Sequence, residues 1–133
     1  MPMIHGSCLC GAVGWRLDGA LEFIALCHCS VCRRFTGSAY GAYGHALSHG
    51  FAFTQGEGRI TRYTSSPGNE RWFCPTCGAP VPVLEGDEVL IPAGGIEGDP
   101  GVRPSAHIFV ASKAPWHTIT DDLPQHDAFP EIW

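Results

Sequence analysis

Three thiols lie within six residues in Cys27-His28-Cys29-Ser30-Val31-Cys32, and Arg33 and Arg34 follow directly. A Cys-x-Cys overlapping a Cys-x2-Cys can aim its sulfurs at one ion using only a strand end and a turn. The chain holds seven cysteines in 133 residues, and the other four form two close pairs, Cys8/Cys10 and Cys74/Cys77. Two pairs supply four sulfurs, the number zinc takes in a closed structural site, whereas three sulfurs leave one tetrahedral position open to a reacting ligand. The expectation is two Zn2+ ions per chain, a structural one on Cys8, Cys10, Cys74 and Cys77 and a reactive one on Cys27, Cys29 and Cys32. An iron–sulfur centre or a redox-active Cys74/Cys77 pair are the alternatives at the first site.

Ligand chemistry narrows what the second site can do. Three thiolates donate so much charge that zinc there activates water poorly, and its natural partner is another soft ligand such as a substrate thiolate. A carbonyl or a thiol adduct nearby could be oriented and polarised by the ion. His28 is the nearest candidate for a fourth ligand, yet in extended backbone it points away from Cys27 and Cys29. It is then a histidine behind the site, and a candidate for moving a proton because an unperturbed imidazole titrates near ~6.5. Another donor among His5, His45, His49, His107, His117 and His126 could instead close a second structural site. Arg33 and Arg34 would offset the negative charge and could attract a substrate carboxylate, the plainer alternative being two surface arginines.

The elements must carry these ligands together. Cys8 and Cys10 face one side if their segment is a strand, with Leu9 on the other. In Cys74-Pro75-Thr76-Cys77-Gly78 the turn N–H groups can bond to sulfur, and Gly78 can take a positive φ. The 63 residues between Cys10 and Cys74 exclude a compact finger, so this site pins the start of the chain to its second half. Val13, Trp15 and Leu17 alternate as a strand, and 21–27 is a second strand delivering the central cluster. A short helical turn at Arg33-Arg34-Phe35 is ended by Thr36-Gly37. Tyr40, Tyr43, Phe51 and Phe53 are expected on a sheet, with a bend at 45–50. Strand character returns at 59–64, then a loop at 65–69 cornered on Pro67-Gly68. Edge-strand character follows at 79–84, then strands at 89–91 and 107–110. Residues 111–133, with Trp116, Leu123, Pro124, Phe129 and Trp133, form a tail expected to pack on one domain spanning 1–133.

Composition agrees with that plan. Gly 17 and Pro 11 suit short strands joined by turns, and 44% hydrophobic residues allow a core. Thirteen acidic against eight basic residues give a formal net charge of -5, which offers no general attraction to nucleic acid or to an anionic bilayer. No run is long enough to span a membrane and no basic-then-apolar leader opens the chain. An odd number of cysteines argues against a paired disulfide framework and for a reduced, cytoplasmic protein.

The cysteine pattern resembles that of the glutathione-dependent formaldehyde-activating enzymes and their centromere-protein-V-like relatives. The likeness rests on Cys8-Leu9-Cys10-Gly11, Cys27-His28-Cys29-Ser30-Val31-Cys32-Arg33 with Gly37, and Phe73-Cys74-Pro75-Thr76-Cys77-Gly78. It continues through His107-Ile108-Phe109-Val110-Ala111-Ser112-Lys113-Ala114-Pro115-Trp116 to Asp121, Leu123 and Pro124. The resemblance implies a mostly β, zinc-stabilised, Mss4-like tent of short antiparallel strands, with the structural and catalytic zinc ligands divided as above. It also implies a carbon–sulfur lyase whose partners are a small thiol such as glutathione and a small aldehyde such as formaldehyde, joined as S-hydroxymethylglutathione. The chain is shorter between the clusters than the formaldehyde-activating members, and Lys113 stands where an arginine is frequent. A homo-oligomer is compatible with all of this. Two other functions use the same cysteines: a non-enzymatic zinc module presenting loops to a protein partner, and a thiol sensor that releases zinc on oxidation.

Overall fold

A computed structural model describes residues 3–131, so the expectation for Trp133 lies outside the described residues. Its strands are β1 (Met3–Ser7), β2 (Gly14–Asp18), β3 (Phe23–Cys27), β4 (Gly41–Leu47), β5 (Phe51–Gln55) and β6 (Thr61–Ser66). They continue with β7 (Asn69–Phe73), β8 (Val83–Glu85), β9 (Glu88–Pro92), β10 (Ile96–Glu97) and β11 (Pro104–Ile108), and one helix, α1 (Ser30–Thr36), follows β3. The protein is mostly β, as expected.

These strands form a four-stranded sheet in the order β10-β1-β2-β5, a five-stranded sheet β11-β3-β4-β9-β8, and the hairpin β6-β7. All pairings are antiparallel except β11 with β3, which is parallel with His107 opposite Leu26 and Ile108 opposite Cys27. A parallel neighbour needs a long connection, and here more than half of the chain lies between the two strands.

Burial follows the alternation. Trp15 and Leu17 of β2 are buried while Arg16 and Asp18 are exposed, and they join Ile4, Val13, Leu26, Trp72, Val89 and Ile91 in the main core. Trp15 is fitted so closely that a Cβ on Gly6 would stand 2.6 Å from its ring and 2.6 Å from the Gly95 carbonyl oxygen.

In the five-stranded sheet, register decides which residues meet the metal ligands. Phe23 pairs with His45, Ala25 with Tyr43 and Cys27 with Gly41, and His45 in turn pairs with Leu90. These residues and Ile108 therefore share one face. Ile24, Leu26, Ala46, Val89 and Ile91 take the other face, toward the main core.

Several local expectations shift. Cys8-Leu9-Cys10 is a turn and not a strand: Gly11, at φ 81, donates its N–H to the Cys8 carbonyl at 3.2 Å and curls the backbone around the sulfurs. The bend expected from residue 45 starts only at Ser48, because His45 stacks on Phe23 at 4.4 Å and stays in β4. The 65–69 loop contracts to Pro67-Gly68, with Gly68 at φ 79, the conformation a type II turn demands of its third residue. In the 79–84 stretch only Val83 and Leu84 belong to a strand, since Pro80 and Pro82 cannot donate to a ladder. The last strand runs Pro104–Ile108 and stops where Phe109 turns to φ 56. After it, His107 donates its backbone N–H to Pro124 and accepts from His126, so the tail runs alongside β11. No helix among the described residues is long and apolar enough to cross a membrane.

Candidate metal centre and its cavity

Cys8, Cys10, Cys74 and Cys77 converge so that their sulfurs all lie within 4.8 Å of one another. The Cys8–Cys10 and Cys10–Cys74 sulfur separations are both 3.7 Å. Four sulfurs at about 2.3 Å from a tetrahedral zinc stand about 3.8 Å apart, so this donor set fits the ion. A disulfide, at about 2.05 Å, is excluded, and all seven cysteines are free. The Val13 N–H points at Cys8 Sγ at 3.3 Å. Gly78 has φ 77, as its place after the Cys-x2-Cys requires, and its N–H bonds to the Cys74 carbonyl at 2.7 Å. Hydrogen bonds from turn N–H groups hold Cys77 low, at about 6, and lower Cys74 as well.

The second group contains Cys27, Cys29 and Cys32 and no other His, Cys, Asp or Glu among the described residues. Cys27 ends β3, Cys29 caps α1 by accepting the Cys32 N–H at 3.3 Å, and Cys32 is buried on the first turn. Gly37, left-handed at φ 66, stops the helix after seven residues. The three sulfurs share their protons. Hydrogen bonds from the Cys27 and Cys32 thiols, then from backbone N–H groups, draw Cys29 down to about 2. Sharing with Cys29 raises Cys27 to about 11, and sharing with Cys27 raises Cys32. Such a cluster gives up its remaining protons when a cation binds.

Cys27 and Cys32 open on a cavity of about 700 Å³. Its floor is the sheet face described above, with Phe23, Ala25, Tyr43, His45, Leu90 and Ile108, and Phe35 of α1 also lines it. Arg71 of β7 enters beside the sulfurs, its Nη2 4.0 Å from Cys32 Sγ. Glu22, Glu85 and Glu88 line the same cavity and are exposed.

The structure places the sequence-derived candidates as follows. His28 lies on the sheet face away from the cavity, as its alternation implies, and is fully buried. Its Nε2 is 2.8 Å from His107 Nδ1, and His107 Nε2 meets the Asp121 carboxylate at 3.0 and 3.1 Å. The three groups form a hydrogen-bonded relay, His28–His107–Asp121, in which each imidazole's donor and acceptor nitrogens depend on its tautomer. Burial, then the neighbouring His107, lowers His28 to about 4. The hydrogen bond from His107 holds Asp121 below the usual carboxylate range. Arg33 and Arg34 sit in the last turn of α1, and neither lines the cavity; the guanidinium there belongs to Arg71. Of the aromatic candidates Tyr43 lines the cavity, whereas Trp72 is in the main core and Tyr40 packs beside the His28 ring at 5.2 Å. Arg71 went unread in the sequence, although a signal exists: in a strand with Trp72 buried, Arg71 and Phe73 must face the other way.

Comparison with known proteins gives relatives throughout the chain. A putative glutathione-dependent formaldehyde-activating enzyme of Halomonas elongata is 31% identical over 130 residues, 88% of this chain and 81% of that one. An uncharacterised lyase of Schizosaccharomyces pombe is 31% identical over 78 residues, 59% of this chain, which spans only 55% of that protein. A crystal structure of a Rhodobacter sphaeroides protein aligns with a TM-score of 0.59 at 26% identity, over 71% of this chain and 89% of that one. The profile of the family described as glutathione-dependent formaldehyde-activating enzyme matches residues 3–112. The chain therefore belongs to the glutathione-dependent formaldehyde-activating enzyme family.

Proposed function

We propose that the protein is a zinc-dependent carbon–sulfur lyase that joins a small thiol to a small aldehyde and reopens the adduct, of which S-hydroxymethylglutathione is the family's example. The observation that carries this reading is the difference between the two sulfur clusters. One has four donors, a complete set for zinc, and the other has three, two of which face a cavity of about 700 Å³. Cys27, Cys29 and Cys32 would hold zinc, which would supply a soft, polarising centre for a thiolate or a carbonyl oxygen.

The chain's own residues set the rest. Phe23, Tyr43 and Leu90 give the adduct an apolar floor, and Arg71 offsets the charge of the sulfurs. In the forward direction the thiol proton leaves to solvent, the sulfur lone pair forms the C–S bond, and the carbonyl oxygen takes a proton from water. Glu22, Glu85 and Glu88 outnumber Arg71 in the lining, so a thiol with fewer carboxylates than glutathione suits the cavity better. Free cysteines throughout fit a reducing compartment such as the cytoplasm.

The test is exchange NMR on the zinc-loaded protein with formaldehyde and a panel of glutathione, N-acetylcysteine and 2-mercaptoethanol, which carry two, one and no carboxylates. Acceleration of adduct formation over the spontaneous rate is expected, and Cys29→Ser abolishes it. Spontaneous rates for every thiol would sink the proposal.

A further inference from the structure

The cavity has a polar corner beside the three sulfurs. Arg71 reaches it from β7 and Tyr43 from β4, and both line the cavity. The Arg71 Nε–H and the Tyr43 hydroxyl are buried, and neither has a protein hydrogen-bond partner. Tyr43 can lean toward Cys32 because residue 41 is glycine: a Cβ there would lie 2.7 Å from the Tyr43 ring and 3.3 Å from Cys32 Cβ. Arg71 Nη2 stands 4.0 Å from Cys32 Sγ, which puts the guanidinium at the same cysteine. A buried donor left without an acceptor costs about 1–3 kcal/mol, so two such donors on residues lining the cavity call for an acceptor there.

We infer that Arg71 and Tyr43 hold the aldehyde-derived oxygen of the adduct, the guanidinium through N–H and the phenol through O–H. The inference rests on the thiol–aldehyde reading and adds the groups that bind the oxygen. As the sulfur lone pair attacks the carbonyl carbon, the C=O π pair moves onto oxygen, and two fixed donors stabilise that charge without reorganising. The oxygen then takes a proton from water while the thiol proton leaves to solvent, so protons balance. In reverse the O–H proton goes to solvent, the C=O re-forms and the C–S pair returns to sulfur. The alternative is that Arg71 only neutralises Cys32 and Tyr43 only packs.

Tyr43→Phe keeps the ring and removes the oxygen, and Arg71→Lys keeps the charge but loses the planar fork. Each variant is expected to lose about 10²–10³ in kcat, the usual effect of removing one oxyanion donor. The KM for the thiol should stay within about threefold, a split that a packing or charge role does not produce. Binding supplies a second readout. Calorimetry on zinc-loaded protein should show S-hydroxymethylglutathione, kept in excess formaldehyde, binding about tenfold more tightly than S-methylglutathione, a preference reduced to about threefold or less in Tyr43→Phe. Retention of kcat and of that preference in both variants overturns the inference while the wild type stays active. A proportionate rise in thiol KM overturns it in favour of packing. A wild type that accelerates adduct formation with none of the thiols in the panel overturns the underlying reading, and this inference with it.

Discussion

Removing two sulfurs from each cluster should have unequal effects on stability, because the two clusters close loops of different length. Cys10 and Cys74 are 64 positions apart, whereas Cys29 and Cys32 are three apart. A cross-link restricts the unfolded chain in proportion to the logarithm of the loop it closes. The chain-entropy expression gives about 4 kcal/mol for a loop of about 64 residues and about 2 kcal/mol for one of about five, the span from Cys27 to Cys32. Cys8→Ser/Cys10→Ser removes every sulfur at the N-terminal end of the long loop, and Cys27→Ser/Cys29→Ser is its counterpart in the short one; each pair includes one buried thiol, Cys8 or Cys27. In zinc-loaded protein, Cys8→Ser/Cys10→Ser is therefore expected to lower unfolding free energy by about 2 kcal/mol more than Cys27→Ser/Cys29→Ser, with a melting temperature about 5–10 °C lower. Urea denaturation of both variants, with zinc counted by mass spectrometry, measures the difference. Equal losses, or a greater loss for Cys27→Ser/Cys29→Ser, would refute the division into a fold-closing cluster and a local one.

Two further outcomes follow from burial. Burial holds His28 and His45 neutral, with both titrating at about 4. An unfolded histidine titrates near ~6.5, so between these values the unfolded state binds more protons and stability falls as pH drops. His45→Gln should flatten part of that slope in urea midpoints taken between about pH 7 and pH 4.5, and an unchanged slope would contradict the burial argument. Gly6→Ala would drive a methyl group to 2.6 Å from the Trp15 ring and from the Gly95 oxygen. Overpacking of that kind costs about 1–3 kcal/mol, so a midpoint shift equivalent to less than about 0.5 kcal/mol would show that the β1–β2 sheet yields more easily than its packing implies.

How far the sequence could be read depended on separation along the chain. The sulfur arithmetic, the glycine after Cys77, the helix stop at Gly37 and the placing of His28 behind the cluster are local consequences of spacing or alternation. What escaped was produced by strand order. Arg71 meets Cys32 across 39 positions, and His28 meets His107 across 79, contacts that no local pattern encodes. The extension of β4 through His45 likewise depends on a partner, Phe23, in another strand. Cys8-Leu9-Cys10 shows the opposite error: period-two spacing was present, but a left-handed glycine at Gly11 made a turn of it.

The parallel strand has a consequence for the order in which the protein is made. Ile108 accepts the backbone N–H of His28 and lies opposite Cys27, so the segment carrying the central cysteines lacks its neighbour until β11 has been synthesised. At about 5–20 residues per second, the roughly 80 intervening residues take about 4–16 s to translate. Throughout that interval three thiols belong to a nascent chain without its five-stranded sheet. Their ligand spacing is complete within six residues, so they can take up a metal ion long before their cavity exists. The first ion to reach the ribosome-bound chain, rather than the one best fitted to the finished cavity, then has the earliest claim on it.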